Sequence, residues 1–218
     1  MSAVEDDLTF GVISDVQYAD HDDCKTKFPP IKKRYYRHGL NHIERAAKEC
    51  IAENCQFILQ LGDLIDGKSK QESELALGKV LSVMVNTGIK FHHALGNHEL
   101  YNFQHSEAVT RLIRNDVNSS EIGYYAFEPK PSVKIICLDT YDISMVGRTK
   151  ADPEYSIGEK YLSANKNDDL NSPDGLSGLE KRFVQFNGGV STTQLEWLKN
   201  HLRDSDERQQ KVIVFGKL

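Results

Sequence analysis

The sequence lacks the long apolar runs, the leader and the basic surplus that mark several classes of protein. The longest apolar runs, such as residues 57–61, are far too short to span a bilayer. The first seven residues are acidic and lack the basic and then apolar profile of a signal peptide. The net charge of −5 offers no basic surface to a nucleic acid. We therefore expect a cytoplasmic protein with neither a membrane nor a nucleic-acid partner.

Cysteine is scarce and follows no recognisable spacing. Cys24, Cys50, Cys55 and Cys137 contain no C-x-x-C motif, so reduced thiols are favoured over a disulfide framework. Hydrophobic residues make up 39% of the chain and charged residues 27%, which is close to the average of globular proteins. A chain of 218 residues is long enough for one α/β domain, and we expect a monomer with a single domain over residues 1–218.

Three short apolar runs in the first hundred residues predict buried strands, at residues 8–14, 57–61 and 90–95. Helical patterns separate these runs. Strands that alternate with helices favour βαβ units, and therefore a parallel sheet in an α/β fold.

Two helices are predicted between the strands. Apolar spacings of three and four indicate one helix from Tyr36 to near Asn54. The second opens on Ser69-x-x-Glu72, which has the form of a capping box, and closes at Gly88.

The later part of the chain has a looser pattern. Residues 133–138 and 212–215 predict two more strands, and Ser191-x-x-Gln194 predicts the capping box of another helix. Between them, residues 141–190 are polar and rich in turn signals. A segment this long without clear periodicity is typical of a functional insertion, and we interpret it so.

Polar side chains follow each of the first three predicted strands. The carboxyl ends of parallel strands meet at one edge of a sheet, where ligands bind. The side chains expected there are Asp15, Gln17, Asp63, Asp66, Asn97, His98 and Glu99. Carboxylates are costly to bring together unless a cation balances their charge. Because the donors are mostly hard oxygens, the pattern predicts a site for Mn²⁺, Mg²⁺ or Ca²⁺.

A P-loop is the formal alternative for the second of these segments. Residues 62–69 match G-x-x-x-x-G-K-[ST] and follow a predicted strand, as a P-loop does. However, Asp63 and Asp66 would then set two carboxylates against the phosphates. The P-loop interpretation also leaves the segments around Asp15 and Asn97 unexplained.

The three motifs together resemble those of the calcineurin-like metallophosphoesterases. These motifs are Asp15-x-Gln17, Gly62-Asp63-x-x-Asp66 and Gly96-Asn97-His98-Glu99. The first motif is usually D-x-H, and Gln17 in place of the His is similar to the manganese-dependent ADP-ribose/CDP-alcohol diphosphatases. The resemblance spans roughly residues 9 to 215. It implies a β-sandwich flanked by helices, with residues 141–190 on the substrate side.

The resemblance also implies roles for single residues. Asp63 would bridge two metal ions, with Asp15 and Gln17 completing one site and Asn97 in the other. His98 would be the catalytic residue near the leaving group, as a general acid or a transition-state contact. The metal would be Mn²⁺, with Mg²⁺ or Zn²⁺ as alternatives. The substrates would be nucleotides with a pyrophosphate bond, such as ADP-ribose and CDP-alcohols.

Two further side chains are candidate substrate contacts on chemical grounds. Arg37 belongs to a basic cluster with Lys32, Lys33 and Arg34, and a guanidinium binds phosphate oxygens in bidentate fashion. Tyr101 follows the Gly-Asn-His segment and offers a ring on which a base can stack.

The chain departs from the family in its last residues. Lys217 stands where the family has a further histidine ligand, and the later G-H-x-H motif is absent. From this we expect a β-sandwich that lacks its C-terminal half, and a chain with little diphosphatase activity. A fragment that binds a nucleotide or a partner without turnover is the alternative.

Overall fold

The structure, a computed structural model, describes residues 7–26, 31–113 and 122–217. The acidic residues 1–6 and the final Leu218, which the sequence predictions used, lie outside the described residues. Within the described ranges, no helix has both the length and the apolar composition needed to cross a membrane. The chain divides into two compact units, Met1–His93 and Ala94–Leu218.

The first unit is built on a three-stranded parallel sheet. Its elements in chain order are β1 (Gly11–Ile13), β2 (Cys24–Lys25), β3 (Lys33–Arg34), α1 (Gly39–Ala52), β4 (Phe57–Gln60), α2 (Ser73–Thr87) and β5 (Lys90–His93). The strand order is β1-β4-β5, with both pairs parallel, while β2 and β3 form a separate antiparallel pair. The predicted parallel sheet with helical crossovers is confirmed.

The core of the first unit lies between this sheet and its two helices. All four residues of β4 are buried, as expected for the central strand of a parallel sheet. The helices contact each other, α1 burying Ile43 and Ala47, and α2 burying Leu77 and Val80. Each pair has a spacing of three or four, so each falls on one helix face.

The boundaries of α2 confirm one prediction and correct another. The helix ends at Gly88, whose φ of 77° is the left-handed conformation of a glycine cap. The predicted capping box at Ser69 is wrong, because α2 begins only at Ser73. Ser69 instead closes a short 3₁₀ turn and is buried, with its hydroxyl donating to the Tyr18 carbonyl at 3.2 Å.

The second unit contains a sheet of three strands. Its elements are α3 (Asn97–Asn102), α4 (His105–Leu112), β6 (Tyr125–Lys130), β7 (Val133–Cys137), α5 (Pro153–Leu162), α6 (Thr192–Glu207) and β8 (Lys211–Phe215). β6 and β7 are antiparallel, and β7 and β8 are parallel. The predicted strands at 133–138 and 212–215 are confirmed, whereas β6 had no prediction.

The segment 141–190 contains a helix that its polar composition concealed. α5 starts at Pro153 directly after Asp152, whose carboxylate accepts the Thr149 N–H at 2.6 Å. Proline in the first helical position is a common start signal. The pair Asp152–Pro153 was therefore the available clue to α5.

Gln194 joins α6 to the loop after β7. The predicted capping box is half confirmed, because Ser191 Oγ accepts the Gln194 N–H at 3.1 Å. The fully buried Gln194 side chain does not complete the box. It accepts from the Asp139 N–H at 3.0 Å and donates to the Asp139 carbonyl at 2.9 Å. A side chain that satisfies both backbone groups of one residue fixes that loop against α6.

Two glycines of α2 provide a matched test of its described boundary. A Cβ added at Gly78 or at Gly88 would meet no atom within 4 Å, so only the backbone conformation distinguishes them. Gly78→Ala is expected to raise the free energy of unfolding by about 1 kcal/mol, since alanine favours helix. Gly88→Ala is expected to lower it by about 1 kcal/mol, because alanine is strained at positive φ. Urea unfolding measures both changes, and changes of the same sign would contradict the described end of α2.

Candidate metal centre

Backbone hydrogen bonds join the loop after β1 to the loop after β4. The N–H of Asp15 donates to the Gly62 carbonyl at 3.3 Å, and the N–H of Gln17 donates to the Asp63 carbonyl at 2.9 Å. Tyr18 continues this ladder through both its N–H and its C=O. The parallel pairing therefore extends beyond the strands. It brings together three of the predicted metal ligands, Asp15, Gln17 and Asp63, within the first unit.

All three residues have a left-handed backbone. The φ angles are 57° at Asp15, 45° at Gln17 and 59° at Asp63. The other described non-glycine residues with positive φ are Asn54 and Gln209, which follow the ends of α1 and α6. A non-glycine residue in this conformation costs about 1–3 kcal/mol, and such strain concentrates at functional sites. Its coincidence with the predicted ligands points to a site that needs these side chains in fixed directions.

The chemistry of these side chains suits a hard divalent cation. Asp15 and Asp63 supply carboxylates, Gln17 supplies an amide oxygen, and Asp63 is only 2% exposed. A buried carboxylate needs a balancing positive charge, and oxygen donors are the ligands that Mn²⁺ and Mg²⁺ prefer. Among the described residues, no group of three His, Cys, Asp or Glu is placed to hold a metal. A site here would therefore depend on the amide of Gln17.

Arg34 holds the Gln17 side chain in place. Its Nη1 donates to Gln17 Oε1 at 2.5 Å and to Asp66 Oδ2 at 3.1 Å. Asp66 is 5% exposed, and its other oxygen accepts the Lys68 N–H at 2.9 Å. An amide oxygen has two lone pairs, so Gln17 Oε1 can accept from Arg34 and keep one lone pair for a cation. Arg34 is thus the residue that the sequence analysis missed, since only its membership of the basic cluster marked it.

In the second unit, α3 groups the remaining candidates. Asn97 Nδ2 donates to the Tyr101 hydroxyl at 2.9 Å, and the rings of His98 and Tyr101 meet edge to face at 5.2 Å. Glu99 is fully buried and accepts the Gly96 N–H at 2.8 Å, so it caps the helix. Tyr101 therefore contacts both the predicted ligand Asn97 and the predicted catalytic residue His98.

A protein-family comparison favours the metallophosphoesterase interpretation over the P-loop. The model described as calcineurin-like phosphoesterase matches residues 8–217. The chain belongs to the calcineurin-like phosphoesterase family. Its predicted α/β metallophosphoesterase fold is thereby confirmed.

Individual relatives refine this assignment. The manganese-dependent ADP-ribose/CDP-alcohol diphosphatase of Xenopus laevis is 41% identical over 97% of this chain. The Homo sapiens protein of the same name is 39% identical over 97% of this chain and 66% of its own length. A crystal structure of a dimetal phosphatase from Danio rerio matches 96% of this chain and 69% of its own, with a TM-score of 0.89 at 36% identity. The chain spans 65% of the length of the Xenopus laevis protein, which is less than two thirds.

The geometry of residues 62–69 also excludes the P-loop alternative. A P-loop presents free backbone N–H groups to phosphates at the start of a long helix. In this chain the N–H groups of Asp66, Lys68 and Ser69 donate to Tyr18 and to Asp66 itself. These three N–H groups are therefore already paired within the protein, and the match to G-x-x-x-x-G-K-[ST] is a coincidence of sequence.

Arg37, the predicted phosphate contact, lies in an exposed ion-pair cluster. Its Nε donates to Asp20 at 2.6 Å and its Nη1 to Asp22 at 2.7 Å. These hydrogen bonds lower the pKa of both carboxyls and raise the pKa of Arg37. In the described conformation the guanidinium is thus bound to carboxylates. Arg34, three residues earlier, is the arginine that lies against a predicted metal ligand.

Asp66 is expected to be structural rather than a ligand, and this can be tested without metal. Asp66→Ala removes the acceptor of the Lys68 N–H and a buried partner of Arg34. It should lower the free energy of unfolding by about 2 kcal/mol in the presence of a chelator. Asp22→Ala is the control, because this exposed ion pair should contribute little. Urea unfolding of both variants measures the difference, and equal losses would contradict the role given to Asp66.

Proposed function

We propose that this chain binds Mn²⁺ and hydrolyses the pyrophosphate bond of ADP-ribose, CDP-alcohols and related nucleotides. The observation that carries the proposal is the cluster of Asp15, Gln17 and Asp63, whose oxygen donors and strained backbone suit a hard cation. The names of the Xenopus laevis and Homo sapiens relatives support the same metal and the same substrates. Mg²⁺ is the alternative with the same preference for oxygen, and Zn²⁺ fits this donor set less well.

The proposed metal ligands are Asp15, Gln17, Asp63 and Asn97. In the first unit Asp15, Gln17 and Asp63 would hold the cation, with Asp63 as the bridging ligand of a two-metal site. In the second unit Asn97 is the proposed ligand, and its Nδ2 donates to Tyr101. Because that hydrogen bond uses Nδ2, the side-chain oxygen Oδ1 of Asn97 can bind a cation. When bound, the cations would neutralise the charge of the phosphate oxygens and lower the pKa of the attacking water.

His98 is the proposed general acid. Hydrolysis forms a bond from a water oxygen to phosphorus and breaks the phosphorus bond to the bridging oxygen. A proton from the His98 imidazole would neutralise that leaving oxygen. The Tyr101 ring packs edge to face on His98 and so restricts the orientation of the imidazole. The products are two phosphate monoesters, such as AMP and ribose 5-phosphate from ADP-ribose.

A cavity in the second unit supports a nucleotide substrate. Its volume is about 1350 Å³, and the segment 141–190 lines much of it, together with residues from α4 and α6. Arg148 lies in its wall with a side chain only 11% exposed. Its Nη2 donates to the Asp142 carbonyl at 2.7 Å, and its Nη1 pairs with Glu154 at 3.4 Å. A cavity of this size with a guanidinium in its wall suits a nucleotide, which supports residues 141–190 as the predicted substrate-side insertion.

Three of the sequence predictions concern properties other than the site and its chemistry. Cytoplasmic location, a monomeric state and the lack of a nucleic-acid or membrane partner stay predictions.

Turnover of defined substrates tests the proposed function. With Mn²⁺, the purified chain is expected to convert ADP-ribose slowly into AMP and ribose 5-phosphate, and CDP-choline slowly into CMP and phosphocholine. His98→Ala should lower the rate about 100-fold or more, because a general acid contributes at least that much. Chromatography of the products measures both rates. Hydrolysis of a phosphoprotein alone, or equal rates with and without His98, would contradict the proposal.

The rate of nucleotide hydrolysis is expected to depend on two histidine motifs of the family. These 218 residues do not contain them. A chimera that extends the chain with those histidine motifs, as the family resemblance implies them, would supply them. We expect the chimera to be the faster enzyme, because Lys217 places an ammonium where a ligand is expected. Comparable rates would show that the additional histidines are dispensable. If neither protein turned over any nucleotide, the non-catalytic alternative would replace the proposed function.

A further inference from the structure

Two cysteines occupy the turn that ends α1. The Cys55 N–H donates to the Cys50 carbonyl at 2.8 Å, and the Asn54 N–H donates to the Ile51 carbonyl at 3.1 Å. Asn54 has the left-handed conformation, with a φ of 56°. These two hydrogen bonds around one left-handed residue define a Schellman motif, which is a common helix ending.

The Schellman turn brings the two thiols together. In this motif the side chains at these two positions frequently contact each other across the turn, and here the Cys50 and Cys55 side chains are hydrogen-bonded. Burial raises the pKa of the Cys50 thiol, and the hydrogen-bonded Cys55 thiol raises it further. Both cysteines are free, and both residues are half-buried. Cys24, by contrast, lies against the Tyr36 hydroxyl at 3.4 Å, and Cys137 is fully buried.

We propose that Cys50 and Cys55 form a reversible disulfide under oxidising conditions. With oxidised glutathione, the thiolate of one cysteine attacks a glutathione sulfur and releases one reduced glutathione. The second thiolate then attacks the protein sulfur of the mixed disulfide and releases the other. Two protein thiols are oxidised, one glutathione disulfide is reduced, and two protons leave with the products. A dithiol reductant reverses the reaction.

The position of the pair gives this disulfide a structural consequence. It links the last turn of α1 to the residue two places before β4. Cys50 Sγ also packs against Gly11 of β1 so closely that a Cβ at Gly11 would clash with it. Oxidation therefore acts where α1, β1 and β4 meet. β1 and β4 are the strands that lead into the loops of Asp15 and Asp63, so this junction supports the candidate metal centre.

Peptide mapping of the native protein tests the proposal directly. The folded chain is treated with oxidised glutathione, its remaining thiols are alkylated, and it is then denatured and digested with trypsin. Peptide 49–68 contains both cysteines and no internal Lys or Arg. We expect this peptide to carry no alkyl group and to weigh two hydrogen atoms less than the same peptide with two free thiols. Dithiothreitol before alkylation should restore both alkyl groups.

Single variants distinguish the pair from general thiol oxidation. Cys24→Ser should leave the oxidation of peptide 49–68 unchanged. Cys50→Ser should convert it into a glutathione adduct on Cys55, because the second attack is lost. The proposal would be overturned if the wild-type peptide kept both alkylated thiols. It would equally be overturned by stable glutathione adducts on both cysteines, or by a link from either to peptide 1–25 or 135–148. The readout needs neither metal nor turnover, so it stands apart from the proposed function.

Discussion

The backbone pairing between the loops after β1 and β4 is the interaction on which the candidate metal centre depends. Parallel strands end at one edge of a sheet, but their side chains still point in alternate directions. The hydrogen bonds from Asp15 and Gln17 to Gly62 and Asp63 carry the pairing past the strands. Because the paired residues are left-handed, their side chains are directed differently from those of a regular strand. The sheet therefore supplies the location, and the strained loops supply the direction.

The strained backbone at these positions has an energetic consequence for the whole first unit. Three left-handed residues within two short loops must be supported by the packing of the sheet and helices around them. The fully buried β4 and the apolar faces of α1 and α2 provide that support. Arg34 and Asp66 add a polar support by tying Gln17 to the turn at Lys68. The free energy of binding a cation to the same carboxylates would offset part of this strain.

The sequence predicted the elements that depend on local patterns and missed those that depend on distant contacts. The strands at 57–61 and 90–95 were visible because each is a short apolar run that ends in polar residues. The left-handed backbone at Gln17 was not visible, since glutamine has no preference for it and only the pairing with Asp63 imposes it. Ser69 had the spacing of a helix cap, but its hydroxyl instead donates to the carbonyl of Tyr18, which is far away in the sequence.

The same distinction applies to residue roles. Asp15, Gln17 and Asp63 were identified by motif, and the described structure brings them together. Arg34 and Arg37 were equivalent members of a basic cluster, and only the fold separates them. β3 carries Arg34 to Gln17, whereas Arg37 meets the acidic residues 20 and 22. In the second unit, the spacing of Gln194 from Ser191 suggested a helix-capping role. Its actual contacts are with Asp139, and they could not be predicted because the two residues are 55 positions apart in the sequence.

The central claim is that the paired loops of the first unit bind a divalent cation, and nuclear magnetic resonance with Mn²⁺ tests it most directly. Paramagnetic Mn²⁺ broadens the amide signals of nearby residues. At substoichiometric Mn²⁺ the account predicts early loss of the signals of Asp15, Gln17 and Asp63, with Gly88 unaffected. The loss should not occur in Asp63→Ala. Broadening centred on the exposed carboxylates of Asp20 and Asp22, or unchanged in Asp63→Ala, would contradict the account.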